Sequence, residues 1–270
     1  MKISIVIPAH NEEQRIGKTL DEYANFFRKK YKNKFEIIVV LNGCIDNTLG
    51  VIKKVKKRYN QINYLDFKQS GKGFAIIEGF KVSKGDLIGF TDADASTNAR
   101  AFNDLIKNIN GYECIIASRW IKGAVVKSKQ PFSRILAGRA FNFLVRSLFG
   151  LKVHDTQCGA KLFRKEIIKK ILPKIGITEW AFDVDFLYHL KKEGFKIKEI
   201  PTVWHDKPHS KLNLAKTTIE MFSAIIRLRL DYSCLKFIVR VYDLLPEIIK
   251  IHHKQKNNSK QNQTEDRRLL

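Results

Sequence analysis

Cysteine is scarce in this chain and scattered. The 270 residues hold four (Cys44, Cys114, Cys158 and Cys234), far apart and with no Cys-x-x-Cys pair. That pattern suggests neither a zinc site nor a disulfide framework, and a reducing interior is the default. Long apolar runs are also missing. No uninterrupted stretch approaches the roughly 18 residues needed to cross a bilayer. The apolar run Ile3 to Ile7 is stopped by Pro8 and followed by Glu12-Glu13, so it does not read as a secretory leader. Two familiar phosphate-binding patterns are absent as well. No Gly-x-Gly-x-x-Gly follows the first apolar run. Ala9-His10-Asn11-Glu12-Glu13 stands there instead, and its acids would repel a pyrophosphate. Gly71-Lys72-Gly73-Phe74 lacks the Walker A spacing and its Ser/Thr. These departures argue against a nicotinamide dehydrogenase and a P-loop ATPase. Acidic residues are few: 27 Asp+Glu against 50 Lys+Arg give a formal charge of +23, which favours anionic partners such as nucleic acid, acidic lipid or phosphorylated substrates.

What is present is a 44% hydrophobic chain, enough for one large α/β domain with an appendage or for two small domains. Short β-branched runs alternate with helical patterns. Strands are expected at Ile3–Ile7, Phe35–Leu41, Ile62–Phe67, the run into Asp92, and Cys114–Ser118. Helices are expected from Asn11, after Asp46 as a cap, and after Gly71-Lys72-Gly73. This alternation predicts a mostly parallel sheet covered on both faces, with ligands at the carboxyl ends of its strands. Beyond Pro131 the pattern predicts a helix over Phe132–Phe149, a polar loop over His154–Phe163, a helix over Glu179–Lys192 and a strand over Ile197–Val203. Two amphipathic stretches follow. In the second, Leu235, Ile238, Val239, Tyr242, Leu245 and Ile249 recur at helical spacing, with Pro246 as an interruption. The chain divides into a catalytic part over 1–212, amphipathic helices over 213–253, and a polar, disordered tail over 254–270.

The stretch with the most chemical content is Thr91-Asp92-Ala93-Asp94-Ala95-Ser96. Two carboxylates one residue apart, at the end of a buried strand, suit a hard cation such as Mg²⁺ or Mn²⁺. A cation so held can bind a diphosphate. A polar turn would carry aspartates too, so the surrounding motifs decide.

Those motifs occur in a telling order. Ile5-Val6-Ile7-Pro8-Ala9-His10-Asn11-Glu12 comes first. Val39 to Thr48, Gly71-Lys72-Gly73, Asp92-Ala93-Asp94 and Ser118-Arg119 follow. Together they resemble the family 2 glycosyltransferases of the GT-A fold. Asp155 to Phe163, Phe182-Asp183-Val184-Asp185 and Ile200-Pro201-x-x-Trp204 resemble its polyprenyl-phosphate branch, which includes dolichyl-phosphate mannosyl- and glucosyltransferases. The resemblance covers about residues 3 to 215. It departs at Leu41-Asn42, where the family usually carries two aspartates, and at His209, where glycine is usual.

The resemblance implies an α/β, Rossmann-like GT-A fold and a metal-dependent, inverting transfer of sugar from a nucleoside diphosphate to a polyprenyl phosphate. Asp92 and Asp94 would hold Mg²⁺ or Mn²⁺. Pro8, Ala9, Asn11, Glu12, Asn42 and Ala93 would frame the nucleotide. Lys72, Arg119 and Lys211 would neutralise phosphates. Asp155, Asp183 and Asp185 are candidates to act as a base, to bind sugar hydroxyls or to orient the cations. UDP is favoured slightly over GDP. The expected location is the cytoplasmic membrane face, reached through basic amphipathic helices that attract anionic lipid. Two alternatives stand beside this reading. One is a related transferase with a glycan or other hydroxyl acceptor, which needs a true base. The other is a basic nucleic-acid-binding protein, supported by charge alone.

Overall fold

The computed structural model describes residues 1–127, 131–176, 181–205 and 214–244, without the side chains of 214–218, 240 and 242–244. The first half winds as expected. Strand β1 (Ile3–Ala9) leads to helix α1 (Ile16–Tyr31), β2 (Phe35–Asn42), α2 (Thr48–Lys56), β3 (Ile62–Phe67) and α3 (Lys72–Val82). Then come β4 (Leu87–Phe90), α4 (Ala99–Lys107), β5 (Cys114–Ser118) and a short β6 (Val125–Val126). The second half holds α5 (Phe132–Phe149), β7 (Lys161–Arg164), α6 (Lys165–Ile171), α7 (Phe182–Lys192), β8 (Ile197–Pro201), β9 (Val203–Trp204), α8 (Leu214–Asp231) and α9 (Lys236–Leu244).

The main sheet runs β3-β2-β1-β4-β7-β5-β8, and β6 pairs with β9 beside it. All neighbours in the main sheet are parallel except those of β7, which enters antiparallel between β4 and β5. Alternation along β1 sorts the two cores. Ile3, Ile5 and Ile7 pack with Leu20, Tyr23 and Phe27 of α1 on one face. Val6 packs with Ile38, Val40 and the α3 residues Ala75, Ile76 and Phe80 on the other. Because both faces are covered, the strands read as continuous apolar runs.

Two expectations are corrected. The first helix begins at Ile16 rather than Asn11. Asn11 has φ of +54°, and its side-chain oxygen accepts from the Ile45 N–H at 2.8 Å. Glu13 accepts from the Asn47 N–H at 2.9 Å, so these residues fasten two loops together instead of opening a helix. The polar loop expected over His154–Phe163 ends in strand β7. Its lysine at a core position, Lys161, hid the strand. Lys161 is 1% exposed and ion-paired, so polarity there does not signal a loop.

The C-terminal helices begin inside the fold. Ala224, Ile225 and Leu228 of α8 join the core on the α3 side, and Phe222 meets Phe141 of α5 edge-on at 5.8 Å. The interrupted end of the last amphipathic stretch, the tail and residues 206–213 lie outside the described residues.

Helix α3 sits close on the sheet at Gly79. A Cβ there would lie 2.4 Å from Cγ1 of buried Val6, a β-branched side chain with little freedom to turn away. Gly79→Ala is expected to cost about 1–3 kcal/mol through overpacking. Urea unfolding measures it, and an unchanged midpoint would contradict this packing.

Candidate active site

The carboxyl ends of β1, β2 and β4 open into a cleft of about 400 Å³. Pro8, Glu12, Asn42, Lys72, Asp92, Ala93 and Asp94 line it, so seven of the predicted residues converge. His10 and Ser70 line it too, and the sequence reasoning assigned them nothing. The His10 Nδ1 lies 2.6 Å from the Asn42 carbonyl oxygen and donates to it. The clue was its place inside the Ala9-His10-Asn11-Glu12 motif. Asn11 stands at the rim and braces the Cys44–Ile45 turn, while the Ala9 carbonyl accepts from Asn42.

Asn42, the residue that departs from the family pattern, ties three elements together. Its Nδ2 donates to the Ala9 carbonyl at 2.9 Å, and its Oδ1 accepts from the Gly71 N–H at 3.1 Å. An amide can do both, whereas a carboxylate can only accept. The ends of β1 and β2 and the start of α3 are thereby locked in one register. Asp46 accepts the Thr48 N–H at 3.0 Å just ahead of α2, whose N-cap position falls to Asn47, so it braces the turn before the helix and does not take the expected cap position. Burial disfavours its charge, but hydrogen bonds from Thr48 dominate and hold its carboxyl below the usual range.

The Asp92–Asp94 turn is braced from α1. The Thr19 hydroxyl donates to the Ala93 carbonyl at 2.6 Å, and the Tyr23 hydroxyl donates to the Thr97 carbonyl at 2.5 Å. Ala95 turns the chain at φ of +54°, and Asp94 Oδ1 accepts from the Ser96 N–H at 2.8 Å. Burial, then repulsion from Asp92, raises the Asp94 pKa. Burial raises that of Glu12 as well, against its bidentate partner Arg15. Lys72 meets Asp92 Oδ1 at 2.6 Å. Its partial burial works against its charge, but attraction to Asp92, then Asp183 and Asp94, prevails and raises its pKa.

The remaining predicted residues form buried pairs around the cleft. Asp155 is fully buried. Its Oδ2 accepts from Arg119 N at 2.9 Å and Nε at 2.7 Å, and its Oδ1 accepts from Nη2 at 2.8 Å. It orients a cation, one of the roles open to it. Arg119 also lies 5.3 Å from the Trp204 ring centre, so this tryptophan packs against the cation. Asp183 pairs with Lys161 at 2.5 Å, and Lys161 also donates to the Cys158 carbonyl at 2.8 Å. Asp185, two residues on, is fully buried and belongs to another cluster. Its Oδ1 accepts from the Tyr232 hydroxyl at 2.6 Å and its Oδ2 from the Gly176 N–H at 3.1 Å. It ties α7 to α8 and does not line the cleft. Lys211 lies outside the described residues.

A divalent cation fits this donor set. Asp92 and Asp94 are hard oxygen ligands whose mutual repulsion a cation would relieve. Among the described residues they are joined by no third His, Cys, Asp or Glu in metal-binding geometry. The other coordination positions would fall to ligand oxygens and water, as is usual for Mg²⁺ bound with phosphates.

Removing one partner of the Arg119–Asp155 pair strands a buried charge. Asp155→Ala is expected to lower the unfolding free energy by about 3 kcal/mol. Adding Arg119→Met should restore much of it. Losses that simply add in this double-mutant cycle would refute the coupling.

Comparison with known proteins agrees with this geometry. The model of the family "Glycosyl transferase family 2" matches residues 4–172. A dolichyl-phosphate beta-glucosyltransferase of Dictyostelium discoideum is 33% identical over 244 residues, covering 85% of this chain and 74% of that protein. One from Saccharomyces cerevisiae is 32% identical, covering 85% and 75%. Among solved structures, glucosyl-3-phosphoglycerate synthase from Mycobacterium tuberculosis, in complex with Mn²⁺, UDP and glucosyl-3-phosphoglycerate, aligns with a TM-score of 0.63. It is 17% identical and covers 84% of this chain and 79% of that one. A mannosyltransferase from Pyrobaculum calidifontis, in complex with GDP-Man and Mn²⁺, aligns at 0.59, with 17% identity and coverage of 84% and 64%. At that identity the structures speak for the fold alone. The family match spans more than half of the chain, and the chain belongs to glycosyltransferase family 2: it is a glycosyltransferase of the GT-A fold.

Proposed function

We propose that the protein transfers a sugar from a nucleoside diphosphate, UDP before GDP, to a polyprenyl phosphate of the dolichyl type, with a divalent cation at Asp92 and Asp94. The observation that carries the choice of acceptor is the pairing of the spare carboxylates. Asp155 is clamped by Arg119, Asp183 is held by Lys161, and Asp185 is bonded to Tyr232 and Gly176. A hydroxyl acceptor needs a base to take its proton. A phosphate monoester is already an anion at neutral pH and needs positioning and charge screening instead. The relatives named as dolichyl-phosphate beta-glucosyltransferases support the same acceptor, and make glucose the first sugar to test. The nucleic-acid reading gains no support from the site.

In this mechanism an acceptor phosphate oxygen attacks the anomeric carbon as the bond to the nucleoside diphosphate breaks, and the configuration inverts. The electron pair leaves with the diphosphate. A cation held by Asp92 and Asp94 supplies charge stabilisation there. Lys72, within reach of Asp92, takes part of the developing charge. Arg119, held rigid by Asp155, presents a second positive charge toward Asp92. Pro8, Ala9, Asn11, Glu12, Asn42 and Ala93 frame the nucleotide, and Lys211 completes the set of cations.

Access to a lipid acceptor calls for a membrane-docking face. No helix among the described residues is long and apolar enough to cross a membrane. Helix α5 exposes Phe132, Leu136 and Phe143 at helical spacing, and α9 exposes Phe237, Ile238 and Val241. Helix α8 packs against both. With the basic composition, these faces support peripheral docking on an anionic cytoplasmic membrane surface.

The test is a screen of UDP- and GDP-sugars against a short polyprenyl phosphate with Mg²⁺ or Mn²⁺, with the product read by mass. Transfer should stop on chelation and fall by about 100-fold or more in Asp94→Asn, the scale of losing one transition-state electrostatic contact. The same change should not lower the unfolding midpoint. The folded-state pKa of Asp94 is raised, so its charge costs stability at neutral pH, and asparagine removes that cost. Transfer to a glycan hydroxyl, with polyprenyl phosphate left unused, would overturn the acceptor assignment. Phe237→Glu with Ile238→Glu should abolish salt-sensitive sedimentation with anionic liposomes, and full retention would remove these residues from the docking face.

A further inference from the structure

Part of the Asp92 carboxylate is already engaged. Its Oδ1 meets the Lys72 ammonium at 2.6 Å. Its Oδ2 lies against the backbone of Gly159, where a Cβ would come within 1.7 Å of it. A divalent ion at Asp92 would share its carboxylate with the Lys72 ammonium. Two cations on one carboxylate repel each other. The ammonium has somewhere else to go. Lys72 opens α3, its side chain is 43% exposed, and it lines the same cleft as Asp94. A diphosphate in that cleft offers it another anion beside the helix N-terminus, where anions are favoured.

We propose that Lys72 is an internal counter-ion that holds Asp92 until a diphosphate draws it away, so that metal and donor enter the site together. The inference rests on the reading of Asp92 and Asp94 as the metal carboxylates, and adds an order of events to it. Without a diphosphate, Lys72 neutralises Asp92 and competes with the metal. With one, the ammonium would move to the phosphates and free Asp92 Oδ1 for the metal. Metal and nucleotide thus raise each other's affinity by the same factor, as linkage requires. Two protein carboxylates and no preformed third ligand among the described residues fit this arrangement, since the diphosphate completes the coordination.

The experiment is Mn²⁺ titration followed by electron paramagnetic resonance, with and without UDP, and with GDP in parallel. Wild-type protein should bind Mn²⁺ weakly alone and far more tightly with the nucleotide. Lys72→Gln should bind Mn²⁺ alone roughly five-fold or more tightly than wild type, within the usual range of coupling between sites. Its gain from UDP should shrink. Lys72→Arg keeps the charge and should behave like wild type, and Lys72→Met repeats the test if the glutamine variant fails to fold. Nucleotide-promoted Mn²⁺ binding in every variant, with no gain for Lys72→Gln in Mn²⁺ alone, would overturn this role while leaving the metal site standing. No Mn²⁺ binding by any variant under any condition would remove the metal site and this inference with it.

Discussion

Like charges forced together at the end of β4 set the terms for the rest of the site. Asp92 and Asp94 stand one residue apart in a partly dry cleft, with Glu12 close enough to raise their cost further. Such a cluster persists only where cations face it. Lys72 and Arg15 supply charge within the cleft, and Arg119 and Lys161 supply it from behind. The turn that carries the acids is fixed by hydroxyls from α1 and, just beyond it, by the backbone bridge of Thr97 with Trp204. The fold thus holds two carboxylates beside one another with their counter-charges already in place, an electrostatic arrangement set before any ligand arrives.

The buried ion pairs behind the cleft follow from the same constraint. A salt bridge of this kind adds little stability compared with apolar packing, and breaking one is costly. Their value here is positional. Arg119 is gripped through its backbone N–H, Nε and Nη2 by one carboxylate, so its orientation is set before any substrate arrives. Lys161 is held by Asp183 and by the Cys158 carbonyl, and lies 5.2 Å from the Phe90 ring centre. Lys72 lies 5.9 Å from the same ring. Both ammonium groups thus lie near the one ring, each ion-paired with an aspartate, and the Asp183 charge still reaches Lys72.

Much of this was legible in the sequence. Strands buried on both faces appear as apolar runs, and β1 to β5 were placed within a residue or two. The acidic doublet and the glycines flanking Lys72 marked the cleft, because their chemistry is local. What escaped depends on distant partners. Strand β7 was hidden by Lys161, whose polarity is cancelled by an aspartate 22 residues away. The start of α1 was misplaced because Glu12 and Glu13 bond to the Asp46–Thr48 turn, 34 to 36 positions on. Asp183 and Asp185 share one helical turn and look equivalent, yet one faces Lys161 and the other faces Tyr232. Only tertiary structure separates them.

That separation carries the last step of the argument. The Asp185 carboxylate joins Tyr232, at the end of α8, to the first turn of α7, and His189 Nε2 reaches the same hydroxyl at 2.7 Å. Asp183 occupies that same first turn, and its charge is felt at Lys72. Helices α8 and α9 are therefore rooted in the fold. Their root is hydrogen-bonded to the element that carries a carboxylate of the site. On the proposed reading, an acceptor held in a lipid surface must meet the cleft at a set height and angle. A loosely attached helix would leave both undefined, whereas one bonded through α7 would define them through the fold.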